Sequence, residues 1–337
     1  MTITRRHALH LLFSGAIVLL LLVFARGVDW RGAGAALRTA DPTLLVLAIV
    51  ANLVSLALKG VRWWVFLRPL GVRSLSLVLR ATFAGASLNN LLVAQGGEGA
   101  RVLIVSRTSG VSSARVLAAL AMERVLDAVS YLVLLVGAAW LLELPHAVAR
   151  WRMAASTVLA AMTLALITLV IAARRGSARN GSPADATLGS DLAENVAALS
   201  RWSLARIGEY MRRFASGIAE LASAPRLAVG MALSVGAWAL QVATYHLCAR
   251  AAHLPLTLSG SIAALLVVGV SFLVRATPGN VGVFQMVYAL TARSFGVREA
   301  PAVAVALLIQ TIQVLPTILV GTLLAPRLVE RRKVQRT

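Results

Sequence analysis

The stretch LLVAQGGEGARVL, residues 91–103, breaks a chain that is otherwise apolar enough to live in lipid. Within a few residues come Gln95, three glycines, Glu98 and Arg101. Irregular, charged backbone at membrane depth is tolerated only where it is buried in protein or lines a wet cavity. The break is therefore expected to face water or a polar ligand.

The surroundings set the class. Hydrophobic residues make up 59% of the 337, charged residues 14%, and the mean hydropathy is +0.81. A soluble domain has no use for so much apolar surface, whereas repeated runs of about 20 apolar residues are what a bilayer requires. Such runs occupy 8–25, 43–66, 76–94, 116–141, 153–172, 227–249, 257–274, 280–296 and 301–325. The first is longer than a signal-peptide core and reads as an uncleaved span. Asp41-Pro42-Thr43 is a fitting helix start, with a capping Asp and Pro at the first helical position. The net charge of +20 comes largely from arginines in short loops, which is the pattern of topology selection and excludes a nucleic-acid partner. The lone Cys248 lies in an apolar run and reads as a small buried residue.

Parity then identifies a segment that does not cross. The N-terminus with Arg5 and Arg6, the linker with Arg174, Arg175 and Arg179, and the tail RLVERRKVQRT all belong in the cytoplasm. Four runs between linker and tail are consistent with this, but five precede the linker. The region around Arg68, Arg73 and Arg80 favours the inside, and so does the region with Arg101, Arg107 and Arg115. The run at 76–94 is thus expected to be re-entrant, with AQGGEGAR as its return limb. A second interruption, RATPGNVGVFQ at 275–285, reads either as an ordinary interhelical turn or as the matching break of an inverted repeat. Whether 257–296 makes two crossings or one hairpin stays open.

The linker at 174–190 is rich in Arg, Gly and Ser. An amphipathic helix over 191–221 follows, read as lying on the membrane surface or packed as a connector on the bundle. In the apolar run 116–141, Glu123, Arg124 and Asp127 fall on one helical face, continued by Ser130 and Tyr131. Facing lipid, each would cost roughly 2.5–3.5 kcal/mol, together approaching the stability of a whole domain. The stripe must face inward. Arg124 can pair with Asp127 at i,i+3, and Glu123 then needs Arg101 or Arg275. Such a network is either purely structural or the floor of a polar cavity. Lys59, Arg62, Trp63 and Trp64 read as an interfacial belt with snorkelling cations. Asn89, Asn90, Gln241, Tyr245, Gln310 and Gln313 read as interhelical hydrogen-bonding groups, and His246 as a packing residue. The chain has no phosphate-binding Gly-x-x-x-x-Gly-Lys-Ser/Thr, no metal-spaced His/Cys cluster and no placeable Ser/His/Asp arrangement. No catalytic residue, metal or cofactor is expected.

RATFAGASLNNLLVAQGGEGARVLIVSRTSGVSSARVLAALAMERVLD (80–127) resembles the signature of the lysylphosphatidylglycerol synthase transmembrane region, the flippase-like family. TPGNVGVFQMVYALTARSFGV (277–297) is similar to that family's second motif. The resemblance implies site residues Asn89, Gly96, Gly97, Glu98, Arg101, Glu123, Arg124, Asp127, Pro278 and Gly279, to which Arg275 is added from the second break. Three departures stand out: Val93 and Ala94 where Pro is common, Glu98 in place of Asp, and Gln285 where an acid is frequent.

The expected protein is an all-α, polytopic integral membrane protein of about eight transmembrane helices with at least one re-entrant segment. Its flippase-like domain spans 1–325, with halves 1–173 and 226–325 about the linker and amphipathic helix at 174–225, and a basic tail at 326–337. The soluble aminoacyl-transferring domain of some relatives is not expected. The implied function is a translocase for a polar or anionic lipid in a bacterial-type inner membrane, with both termini cytoplasmic. Its partners would be a membrane phospholipid or lipid-linked substrate and anionic headgroups. The alternatives are a membrane-embedded enzyme or accessory protein acting on lipid-linked sugars, and a scaffold. An enzyme would want carboxylates at a water-exposed face, and the outer loops offer only Asp29, Asp41, Glu143 and Glu299.

Overall fold

The computed structural model describes residues 38–91, 96–141, 223–271 and 282–324, with Asn280 and shorter pieces between 153 and 168 and between 210 and 221. The first span, the linker, most of the amphipathic helix, Arg275, Pro278, Gly279 and the tail lie outside the described residues. Eight helices are delimited among those described: α1 Pro42–Leu67, α2 Leu75–Leu91, α3 Gly96–Ser109, α4 Ser113–Leu141, α5 Ala224–Ala251, α6 Leu258–Ser271, α7 Val283–Arg293 and α8 Glu299–Leu324. Asp41 starts α1 as its position suggests, its carboxylate accepting from the Thr43 and Leu44 amides at 2.8 and 3.4 Å ahead of Pro42. Such a cap contributes about 1 kcal/mol.

Four of these helices, α1, α4, α5 and α8, are long and apolar enough to cross a membrane. The lengths repeat: 26, 17, 14 and 29 residues in the first set, then 28, 14, 11 and 26 in the second. Each set is long, short, short, long. The leading helices of the two sets run antiparallel. The Asp41 amide donates to Ala251 O, Ser55 Oγ donates to Ala237 O, and Phe66 fills the space over Gly230. The short pairs therefore follow opposite ends of the α1–α5 seam.

The first short pair is a tight hairpin. Gly85 of α2 lies against Gly97 and Arg101 of α3, and a Cβ on Gly97 would overlap the Gly85 carbonyl and come within 2.6 Å of Asn89 Oδ1. Here glycine is required by close approach, not by an unusual φ. Gly97→Ala should drive the limbs apart and lower the melting temperature of the purified protein, at the 1–3 kcal/mol typical of overpacking. Gly99→Ala, which meets nothing within 4 Å, should melt as the wild type does. Equal melting of the two variants would contradict the hairpin.

Pro316 sits inside α8 and cannot donate to the Ile312 carbonyl one turn back. Asn52 Nδ2 of α1 donates to that oxygen at 3.3 Å, so the break in the ladder is met by a neighbouring helix. One residue past Pro316, Ser87 Oγ of α2 donates to Thr317 O at 2.8 Å. At the α4 start, Ile218 and Leu221 are buried and Glu220 pairs with Arg115. The last turns of the amphipathic segment thus pack on the bundle.

Candidate functional site

α3, α4 and α1 deliver their charged side chains to one place, with Asn89 of α2 and Ser234 of α5 beside them. The order is set by the hairpin. Asn89 Oδ1, near the end of α2, accepts from the Gly97 amide at 2.9 Å and so satisfies a free donor at the start of α3. Its Nδ2 donates to Glu98 Oε1 at 3.4 Å. The return limb then runs antiparallel to α4, which brings Glu98 and Arg101 beside Glu123 and Arg124.

Glu123 is the hub. Its Oε2 accepts from Arg101 Nη2 at 3.0 Å and its Oε1 from Arg62 Nη2 at 3.1 Å. Arg62 Nη1 also donates to Asp127 Oδ1 at 2.9 Å and to Ser234 Oγ of α5 at 2.5 Å. Arg101 Nη1 donates to Glu98 Oε2 at 3.2 Å, and its guanidinium lies 4.2 Å from the centre of the Trp63 ring. Arg124 bonds to Glu98 Oε1, while its i,i+3 approach to Asp127 Oδ2 is only 3.9 Å. Planar guanidinium forks suit this role, because each can serve two carboxylates at once.

Of the residues singled out in the sequence, Asn89, Gly97, Glu98, Arg101, Glu123, Arg124 and Asp127 are gathered here, with Gly96 opening α3. Glu123 meets Arg101, one of its two expected partners; the other, Arg275, lies outside the described residues with Pro278 and Gly279. Arg124 turns mainly to Glu98 and not to Asp127, because Arg62 already holds Asp127 from inside.

The interfacial reading of Arg62 and Trp63 is corrected. Both are fully buried, and Arg62 is the interior counter-ion of two carboxylates. Trp64 does lie at an edge, its Nε1 donating to Arg73 O at 3.2 Å. A helical signal for Arg62 was present: Asn52, Ser55, Lys59 and Arg62 recur at spacings of three, four and three.

The lesser polar groups form a separate, uncharged network. Gln241 Nε2 donates to Asn52 Oδ1 and Ser55 Oγ, both at 3.2 Å, and Gln313 Nε2 donates to Gln241 Oε1 at 2.9 Å. Gln285 bonds to Gln310 and accepts the Gly282 amide at 2.6 Å, so it caps α7. His246 Nδ1 is 3.1 Å from Ser261 Oγ, a bonded packing residue.

Residues 9–321 match the family model described as the lysylphosphatidylglycerol synthase TM region. No curated protein matches the chain.

Proposed function

The chain belongs to the lysylphosphatidylglycerol synthase transmembrane-region family, a membrane domain tied to lipid metabolism or transport, and from that premise we propose a lipid translocase. It moves a polar or anionic headgroup between leaflets past the Glu123 network while the acyl chains stay in the bilayer. It sits in a bacterial-type inner membrane with cytoplasmic termini.

One observation carries the reading: the network is sealed at one end and open at the other. Side-chain exposure rises from 0% at Arg62 and 2% at Glu123, through 16% at Asp127 and 18% at Glu98, to 51% at Arg124. Arg124 lies well inside a crossing helix, about 16 Å from its start, so its open side needs water or a headgroup and not hydrocarbon. A guanidinium there can bind phosphate through paired charge-assisted hydrogen bonds. The half-exposed cation over a closed ionic floor fits a headgroup path better than a scaffold, which gains nothing from an open charge.

The α2 and α3 limbs, at 17 and 14 residues or about 25 and 21 Å, fall short of a bilayer core and support re-entry. The repeated length order and antiparallel α1 and α5 support an inverted repeat, with the hairpins entering from opposite sides.

The test is the loss rate of a fluorescent phospholipid signal to an external quencher in reconstituted vesicles. Wild-type vesicles should scramble or flip the probe faster than protein-free ones. Arg124→Gln should lower the rate by about tenfold with nearly unchanged melting, because a half-exposed ion pair contributes only about 0–1 kcal/mol. Protein-containing vesicles no faster than protein-free ones would overturn the translocase reading.

A further inference from the structure

The charged and amide networks are joined by a single seam. The stripe Asn52, Ser55, Lys59, Arg62 on α1 faces Ser234, Trp238, Gln241 and Tyr245 on α5, which recur at four, three and four. Arg62 bonds to Ser234 at one end, and Asn52 and Ser55 bond to Gln241 at the other. Between the two ends stands Lys59.

Lys59 is out of place as a snorkelling residue. It lies eight residues before the end of α1, and its Nζ is 5.4 Å from the centre of the Trp238 ring on α5, directed into the seam. Among the described residues it has no hydrogen-bond acceptor and no carboxylate within ion-pair distance. Asp127 acts on it most strongly through space, but the two Asp127 oxygens already face Arg62 and Arg124. The indole Nε1 of Trp238 is buried without a partner as well.

Charge counting sharpens this. Lys59, Arg62, Arg101 and Arg124 give four cations, against three carboxylates from Glu98, Glu123 and Asp127. Neither 92–95 nor 272–279 contains an Asp or Glu, so the two breaks cannot supply the fourth. A part-buried ammonium whose strongest opposite charge among the described residues, Asp127, lies beyond ion-pair distance and already pairs with Arg62 is under-neutralised, and an unmet indole donor beside it adds to the cost. Both are relieved by an anionic oxygen.

We propose that Lys59 and Trp238 form an anion station that takes a phosphate oxygen of the lipid headgroup between the charged and amide networks. This rests on the translocase reading and places a second phosphate contact along that path, away from Arg124. The Trp238 face holds the ammonium by cation–π attraction. Tyr131 packs on Trp238 with ring centres 5.3 Å apart, and its hydroxyl donates to Leu266 O of α6, so the station is tied to the second short pair.

The full-length protein in dodecyl maltoside is titrated, with melting temperature as readout, against dihexanoylphosphatidylglycerol, dihexanoylglycerol and inorganic phosphate. The phosphatidylglycerol should stabilise the wild type and the phosphate-free lipid should not. Lys59→Met should weaken phosphatidylglycerol binding about tenfold or more, Lys59→Arg should retain most of it, and Trp238→Phe, which keeps an aromatic face but loses the pyrrole ring with its N–H, should weaken it several-fold. Without ligand, Lys59→Met should melt close to the wild type, because the lost cation–π contact with Trp238 is offset by removing a desolvated ammonium. Unchanged binding in both Lys59→Met and Trp238→Phe would overturn the station, as would equal stabilisation by dihexanoylglycerol. Stabilisation through Lys59 by inorganic phosphate but not by phosphatidylglycerol would overturn the headgroup assignment. The two readings fail separately. Lys59-dependent binding with no lipid movement in vesicles sinks the translocase and leaves the station, whereas lipid movement with unchanged Lys59→Met binding does the reverse.

Discussion

Arg62→Leu is expected to unfold this protein more readily than any exchange at the open rim of the network. Arg62 is fully buried and serves Glu123, Asp127 and Ser234 together. Removing it leaves Asp127 with Arg124 at 3.9 Å and the charge of Lys59 beyond ion-pair distance, and Glu123 with Arg101 alone. Breaking a buried pair from one side costs about 3–5 kcal/mol, because the orphaned charge stays desolvated. That is a large fraction of a stability of about 5–15 kcal/mol. Arg62→Lys should recover only part of it, since a single ammonium cannot span two carboxylates in a planar fork. The measurement is thermal unfolding in detergent, with Arg124→Gln beside it as the exposed counterpart. If Arg62→Leu melts with Arg124→Gln, the sealed-floor account of the network is wrong.

The contrast between these two arginines shows what the sequence could and could not reveal. Arg124 was legible because it lies mid-run between Glu123 and Asp127, where any charge must be explained. Glu98 and Arg101 were legible because glycines around them mark a backbone reversal that lipid cannot face. Arg62 was hidden by its neighbours. Two tryptophans and a cation near the end of an apolar run are what an interfacial belt looks like, and hydropathy carries no information about which way a side chain points. Direction comes from helical phase. The spacing of Asn52, Ser55, Lys59 and Arg62 held it, but it gains meaning only once α5 is known to run alongside.

The same distinction holds for the backbone signals. Asp41-Pro42 fixed a helix start through local chemistry that needs no partner, and the cap is formed. The break at 92–95 was visible from Gly and charge, yet the reason Gly97 must be glycine is Gly85, twelve residues earlier on the other limb. The Pro316 break drew no attention in a long apolar run, because its freed carbonyl is met by Asn52 of α1, far away in sequence. Local signals were readable one at a time. Pairings across helices were readable only where charge made a partner compulsory.

Glu123 gives the second large effect, and it separates architecture from transport. Glu123→Leu should cost about as much as Arg62→Leu, since both Arg62 and Arg101 lose a carboxylate at 3.1 and 3.0 Å. Arg62 keeps Asp127 at 2.9 Å and Arg101 keeps Glu98 at 3.2 Å, so the network should loosen and not collapse. Arg101→Leu combined with Glu123→Leu removes one charge of each sign and fills the space with apolar groups of comparable size. Buried pairs replaced in this way are often neutral or better for stability, so the double variant should melt above Glu123→Leu by about 1–3 kcal/mol, a clear departure from additivity. On the proposed function it should still fail to move lipid, because the hairpin's tie to the floor of the path is gone. Melting curves and vesicle flip rates for the two single variants and the double variant therefore read the two roles independently. A double variant that regains both stability and lipid movement would mean the Arg101–Glu123 pair serves neither path nor fold. One that melts lower than either single variant would mean the charges hold the hairpin in place by more than their mutual neutralisation.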